Sequence, residues 1–131
     1  MANRRFEQFQ LSLEKAIVTL YGQVAIGSTG APTLSTAKSK GILSIARTAT
    51  GKYTITLSDI YQRLVGFDYT YIVASGAPGT TAVASPVVRA DNSASATPTI
   101  VVEFLDNTGT ANEIASGVTL LIQIQLKNSV V

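Results

Sequence analysis

The chain of 131 residues fits one domain that can bury a core without a disulfide or a structural metal. It contains no Cys and no His, which excludes thiolate chemistry, Cys-based metal sites, most hydrolase triads and zinc enzymes. The net charge is +2 and the ten Lys and Arg residues are scattered, so the composition predicts no nucleic-acid-binding surface.

Residues 1–15 are predicted to form an N-terminal arm. Phe6 and Phe9 would be left in water unless the arm docks on a partner, although their spacing with Leu13 also fits a short amphipathic helix. No apolar segment follows the basic residues of the arm, so we expect no secretory signal and synthesis in the cytoplasm. No run approaches the roughly 18 apolar residues of a membrane span, so no membrane partner is expected.

Residues 16–131 are predicted to form the β domain, and residues 16–26 its first strand. Gly22 within that strand predicts a bulge or the close approach of another backbone. Residues 27–32 are rich in Gly and Ser and end in Pro, which predicts a turn. Residues 33–34 are then expected to add a short edge segment.

The segment 39–66 organises the middle of the chain as a β-hairpin followed by one helical turn. Two apolar runs, residues 42–46 and 53–57, flank a predicted turn at residues 47–52. The second run alternates with Lys and Thr, and the positions predicted to face the core are Tyr53, Ile55 and Leu57. The helical turn is predicted from Asp59 as its cap and from the spacing of Ile60 and Leu64.

The second half of the chain alternates in the same way. Residues 67–73 place Phe67, Tyr69, Tyr71 and Val73 on one side of a strand. Residues 74–98 are small and turn-forming, which predicts surface loops that could carry receptor contacts, and Pro86 makes the strand at residues 83–89 an edge strand or breaks it.

The last two strands, residues 99–105 and 117–127, give the clearest alternation. A strand as long as the last one is expected in a central position, with residues 106–116 as an ordered loop before it. Its predicted core positions are Val118, Leu120, Ile122, Ile124 and Leu126. The whole pattern predicts an all-β, single-domain β-sandwich, jelly-roll-like, with an N-terminal arm and one short helix.

Three groups of residues have both a chemical and a structural interpretation. Glu103, Asp106 and Glu113 could supply a glycosidase pair, but they also fit a strand charge and two loop charges. The loop 106–113 offers calcium ligands without EF-hand spacing, whereas Asx-turns explain the same residues, so no metal or other cofactor is predicted. The tyrosines could form a platform for a sugar or base, or could pack in the core or a subunit interface: Tyr61, Tyr69 and Tyr71.

Four segments together resemble small virion structural proteins of tailed bacteriophages, in particular capsid decoration (cement) and head-fibre proteins. They are ANRRFEQFQ at 2–10, GAPTL at 30–34, SKGILSIARTATGKYTITLSDIYQRLVG at 39–66 and FLDNTGTANEIASGVTLLIQIQLKNS at 104–129. The resemblance implies a non-enzymatic β-sandwich that self-associates, often as a trimer, and binds the major capsid protein on the outer surface of the virion.

Under this resemblance we assign residues to two contacts. Capsid docking falls to Arg4, Arg5, Phe6 and Phe9, and subunit contacts fall to Tyr69 and Tyr71. The charged fraction of 14% fits a surface covered by other subunits, and it fits equally a β-protein with Ser and Thr on its exposed faces. The alternative function is a receptor- or glycan-binding module of a head or tail fibre, with a host-surface glycan as its partner.

Overall fold

Eight β-strands lie in the described part of the chain. The computed structural model describes residues 17–73 and 85–128, so the predicted arm lies outside the described residues. The strands in chain order are β1 (Ile17–Ile26), β2 (Pro32–Leu34), β3 (Ile42–Ala49), β4 (Lys52–Leu57), β5 (Arg63–Ile72), β6 (Ser85–Asn92), β7 (Thr99–Leu105) and β8 (Thr119–Lys127). Two 3₁₀ turns, Ser28–Gly30 and Thr36–Lys38, flank β2.

The strands pair into two antiparallel sheets that pack face to face. The first sheet has the order β2-β1-β8-β5, and the second sheet has the order β3-β4-β7-β6. The predicted β-sandwich is therefore confirmed. Within the described residues no helix is long and apolar enough to cross a bilayer.

The core lies between the sheets and is filled by alternate residues of each strand. The five predicted core positions of the last strand are all buried, four of them on β8 and Val118 just before it. β8 lies between β1 and β5, which confirms its central position. The three predicted positions of β4 are buried as well. Tyr53 packs edge-on against Phe104 with ring centroids 5.7 Å apart, so large rings fill the centre of the second sheet.

The predicted helical turn after the hairpin is wrong. Asp59 does accept a hydrogen bond from the backbone N–H of Ile60 at 3.1 Å, but no helix follows. The next two amides donate elsewhere, Tyr61 N–H to the Ser93 carbonyl and Gln62 N–H to the Lys127 carbonyl. Because these bonds to distant segments replace the helical ones, the chain passes directly into β5.

The hairpin forms, but its turn is shorter than predicted. β3 continues to Ala49 and β4 begins at Lys52, so only Thr50 and Gly51 lie outside the two strands. A register shift between Arg47 and Ala49 takes up the extra residue, which lets strand pairing extend through the polar segment.

Gly22 marks a close approach, but of a side chain. β1 and β8 pair without a register shift from Ile17 to Ala25, so there is no bulge at Gly22. A Cβ at that position would lie 2.9 Å from Cδ1 of Ile42. The two predicted edge segments are confirmed, because β2 and β6, which contains Pro86, each end a sheet.

Candidate functional site: a groove on the outer face of the first sheet

A groove with a volume of about 330 Å³ runs over the outer face of the first sheet. Its floor and one side consist of two rows of paired residues on β1, β8 and β5. The rows are Tyr21–Gln123–Asp68 and Gln23–Leu121–Thr70. Residues paired across neighbouring strands have Cβ atoms about 5 Å apart, so the three strands bring these six side chains together.

The alternation of the strands explains why these side chains face outward. On β8 the even-numbered residues fill the core, and the odd-numbered Leu121 and Gln123 therefore point away from it. On β1 the same rule sends Tyr21 and Gln23 outward, because Leu20 and Val24 are buried. The site thus uses the positions that the core does not need.

The Thr36–Lys38 turn forms the other side of the groove. The chain on either side of this turn is tied to β1: Ser35 N–H donates to the Gln23 carbonyl at 2.9 Å, and Lys40 N–H donates to the Tyr21 carbonyl at 2.8 Å. Ser39 Oγ in addition accepts the N–H of Gln23 at 3.1 Å. The turn is thereby fixed beside the floor, with Lys38 lining the groove.

Asp68 differs from the other carboxylates that the structure describes. Within residues 17–73 and 85–128 it alone makes no hydrogen bond or ion pair. It lines the same groove as Tyr21, which is 52% exposed, with Gln123 between the two residues. Polar and aromatic groups at this site are therefore open to a ligand.

The carboxylates considered for a glycosidase pair are held by the scaffold. Glu103 forms an ion pair with Arg89 on the neighbouring strand, and Glu113 forms one with Arg47. Asp106 Oδ1 accepts three hydrogen bonds inside its own loop, from the N–H and hydroxyl of Thr108 and the N–H of Thr110. These three carboxylates stabilise the strands and the loop that carry them.

The loop 106–113 contains an Asx-turn, one of the two interpretations of its sequence. The Thr108 hydroxyl and the backbone N–H groups lower the pKa of Asp106, so the carboxylate is charged and serves as the acceptor of an Asx-turn. No cluster of three or more acidic residues suited to a metal lies among the described residues. The loop is ordered, as predicted, and pairs with β7 through Leu105 and Ala111.

Tyr53 and Glu113 connect this loop to the start of the domain. The Tyr53 hydroxyl donates to the Gly30 carbonyl at 2.7 Å, and burial together with the nearby Glu113 raises the pKa of Tyr53 to about 12. Glu113 Oε2 is buried and has no hydrogen-bond partner among the described residues. The pair is a structural link, because Tyr53 stays a neutral donor at physiological pH.

The three tyrosines considered for a platform do not form one. Tyr61 is buried in the core at 8% exposure. Tyr69 and Tyr71 meet edge-on with ring centroids 5.3 Å apart, and Tyr71 also meets Phe104 at 6.4 Å. Tyr71 is packed against the core, while Tyr69 is 37% exposed on β5, at the end of the first sheet.

The residues proposed for capsid docking, Arg4, Arg5, Phe6 and Phe9, lie outside the described residues. The six side chains of the two groove rows were not assigned to a site from the sequence. The outward positions of β8 were predicted, but the amino-acid sequence holds no signal for which residues of β1 and β5 lie beside them.

The groove and the two ion pairs are the polar features of the described surface that bear on function. Comparison with protein-family models, with curated proteins and with solved structures finds no match for this chain.

Proposed function

We propose that the chain is a non-enzymatic structural protein of a bacteriophage virion that binds the outer surface of the capsid as a decoration protein. The observation that carries this proposal is the outer face of the second sheet, where two rows of side chains contain no charged residue. Two rows of small side chains cross all four strands: Ser44–Thr56–Thr99–Asn92 and Ala46–Thr54–Val101–Ala90. Small side chains of this kind let another protein surface approach closely.

The charged residues of this face lie beyond the two rows, and two of the three are paired with each other. Glu103 on β7 pairs with Arg89 on β6, and Lys52 lies opposite Glu103 in the pairing of β4 with β7. A partner therefore meets hydroxyl and methyl groups with little charge to desolvate. This supports a protein whose work is adhesion.

Self-association is the second part of the proposal, with the trimer as its expected form. Tyr69 and Tyr71 lie on β5, and β5 is a ten-residue strand at the end of the first sheet. Val65 and Ile72 on the same strand are 45% and 52% exposed. A second subunit beside β5 would cover these side chains together with Tyr69, and a long edge strand with exposed apolar residues favours such pairing.

In this proposal the capsid packs against the outer face of the second sheet, and the arm adds the contacts needed for binding, through Arg4, Arg5, Phe6 and Phe9. A decoration protein that binds the assembled shell and not its free subunits stabilises the shell by its binding free energy at every occupied site. Several arms in one oligomer would bind neighbouring capsid subunits together, so each contact can be weak.

Co-sedimentation of the purified protein with capsids that lack it tests the proposal. We expect the full chain to pellet with capsids and to raise their thermal disruption temperature, because binding favours the assembled shell. Deletion of residues 1–10, or the double variant Phe6→Ala/Phe9→Ala, should abolish pelleting while the far-ultraviolet circular dichroism spectrum is unchanged.

The matched control is the double variant Gln8→Ala/Gln10→Ala, which alters the same segment but keeps both rings and both arginines. It should pellet as the full chain does. Undiminished binding after the deletion would refute the role of the arm, and a full chain that never binds capsids would refute the function itself.

A further inference from the structure

We propose that the groove on the outer face of the first sheet is a binding site for a neutral saccharide of one or two sugar rings. This activity goes beyond attachment to a capsid, since it uses the other sheet and none of the arm residues. Four properties of the groove support it: an exposed ring, hydrogen-bonding groups without a partner among the described residues, balanced charge and a fixed wall.

The exposed ring is Tyr21. It is 52% exposed although its neighbours on β1, Leu20 and Gly22, are buried. One face of a sugar ring consists of C–H groups, and these pack on the negative face of an aromatic ring. Beside Tyr21, Leu121 adds carbon surface to the floor, so the floor is suited to the apolar face of a sugar.

Hydrogen-bonding groups surround this floor. The side-chain amides of Gln23 and Gln123, the Thr70 hydroxyl and the Asp68 carboxylate line the groove, and none of the four bonds to another described residue. An amide offers both donors and an acceptor, and a carboxylate accepts from two adjacent hydroxyls. Vicinal hydroxyl groups of a saccharide need this mixture on a short surface.

The charges in the groove exclude strongly charged ligands. Lys38 lies on the wall and Asp68 on the opposite side, so the two charges sum to zero. A phosphate or an acidic peptide would be attracted by Lys38 but repelled by Asp68. A cation would be attracted by Asp68 but repelled by Lys38. A neutral polar molecule uses Lys38 as a donor and Asp68 as an acceptor without either conflict.

The shape of the groove is set before a ligand binds. The Thr36–Lys38 wall is held to β1 by the backbone bonds described above, and the floor lies on three paired strands. A preformed site loses little conformational entropy on binding. Its volume of about 330 Å³ is at the lower end for small-molecule sites, which fits a mono- or disaccharide.

Nuclear magnetic resonance titration of the ¹⁵N-labelled full chain tests the proposal. The probes are glucose, galactose, mannose, N-acetylglucosamine, and the disaccharides maltose and lactose, with glucose 6-phosphate and glucosamine as the anionic and cationic comparisons. We expect at least one neutral probe to shift the amide signals of Tyr21, Gln23, Asp68 and Gln123 at millimolar concentration, and to bind more tightly than either charged probe.

Variants locate the binding in the groove. Tyr21→Ala and Asp68→Ala should each weaken binding about tenfold, because one removes the stacking ring and the other the acceptor. The matched control is Ile17→Ala: Ile17 is 43% exposed and lies on β1 of the same sheet, on the same outer face as Tyr21 but beyond the groove. It should change the affinity less than about twofold.

The results separate cleanly. The proposal is overturned when no neutral probe shifts these signals, when a charged probe binds more tightly, or when Tyr21→Ala and Asp68→Ala bind as the wild type does. Thermal unfolding shows whether each variant is folded, and Gln123→Ala replaces Tyr21→Ala if that variant is not. A protein that binds capsids but no saccharide contradicts this proposal alone, and the converse contradicts the capsid function alone.

Discussion

The outer faces of the two sheets differ although the sheets share one core. The first sheet presents an aromatic ring, two amides and an unpaired carboxylate in a groove with a raised wall. The second sheet presents rows of Ser, Thr and Ala, and its carboxylate Glu103 is paired with Arg89. Inward residues are alike on both sheets, being almost all Ile, Leu, Val, Phe or Tyr.

This difference shows that core packing constrains only every second residue of each strand. The inward positions must fill the space between the sheets, whereas the outward positions can be assigned to different tasks. In our proposals the second sheet offers a close-fitting surface to other proteins, and the first sheet offers a small polar site. The following predictions test how far the two sheets are alike below their surfaces and where they differ.

The largest effect is expected in the shared core. Leu126→Ala on β8 and Ile55→Ala on β4 each remove a side chain that is fully buried, and each should lower the free energy of unfolding by about 2–5 kcal/mol. Urea denaturation followed by fluorescence and circular dichroism should give one transition for both variants. Separate transitions, each moved by only one variant, would show that the sheets are independent units.

A smaller effect is expected at the hairpin turn of the second sheet. Gly51 has a φ of +63°, and a Cβ there would lie 2.8 Å from the carbonyl oxygen of Phe104. Gly51→Ala should therefore cost about 2 kcal/mol of stability, the sum of a left-handed backbone penalty and a contact with rigid backbone.

The control for this variant is Gly109→Ala. Gly109 has a φ of +83°, but a Cβ added there would meet no atom within 4 Å, so it carries the backbone penalty alone, about 1 kcal/mol. Denaturation midpoints compare the two variants. Equal losses would mean that the close approach at Gly51 contributes nothing.

The smallest effect is expected at a link between the sheets. Asp91 on β6 accepts the N–H of Leu64 on β5 at 2.8 Å, and its other oxygen accepts the N–H and hydroxyl of Ser93. Burial alone would raise the pKa of Asp91, but the hydrogen bonds from Ser93 and Leu64 outweigh it and lower the pKa. Asp91→Asn should cost about 1 kcal/mol of stability near neutral pH. The asparagine oxygen can still accept from Ser93, but the NH2 group that replaces Oδ2 cannot accept the N–H of Leu64.

The sign of the pH dependence follows from the lowered pKa. The stabilisation by Asp91 is present above the ordinary carboxyl pKa of about 4 and is lost as pH falls through the lower folded value. The difference between wild type and Asp91→Asn should therefore be constant near neutrality and should shrink under acid, as measured by urea denaturation. Asp59→Asn, which keeps the acceptor for Ile60, is the control and should differ little from wild type. A difference that grows under acid would contradict the assignment.

The fold could be predicted from the sequence where the alternation of apolar and polar residues within one strand identifies its buried face. The alternation in β8 specifies its buried face without reference to any other segment, and the same holds for Tyr53, Ile55 and Leu57. The helical turn was predicted from the spacing of Ile60 and Leu64. The prediction is wrong because the backbone N–H groups of Tyr61 and Gln62 donate to distant residues. Local patterns do not record such competing partners.

The candidate site could not be predicted for a related reason. Tyr21, Gln123 and Asp68 become neighbours only through the pairing of β1 and β5 with β8, and this register joins segments far apart in the chain. A shift of one residue in either pairing would send a different set of side chains outward. Considered within its own strand, Tyr21 or Gln123 cannot be distinguished from an ordinary solvent-facing residue.

The central place of β8 has a consequence for how the chain is made. β1 and β5 do not pair with each other, and each finds its long partner in β8, which is the last of the eight strands to leave the ribosome. In a nascent chain that ends before Thr119, every strand of the second sheet has been synthesised. β1 and β5, in contrast, still lack the strand that pairs with both of them. The groove, whose floor includes β8, therefore cannot form until the last of the eight described strands has been synthesised.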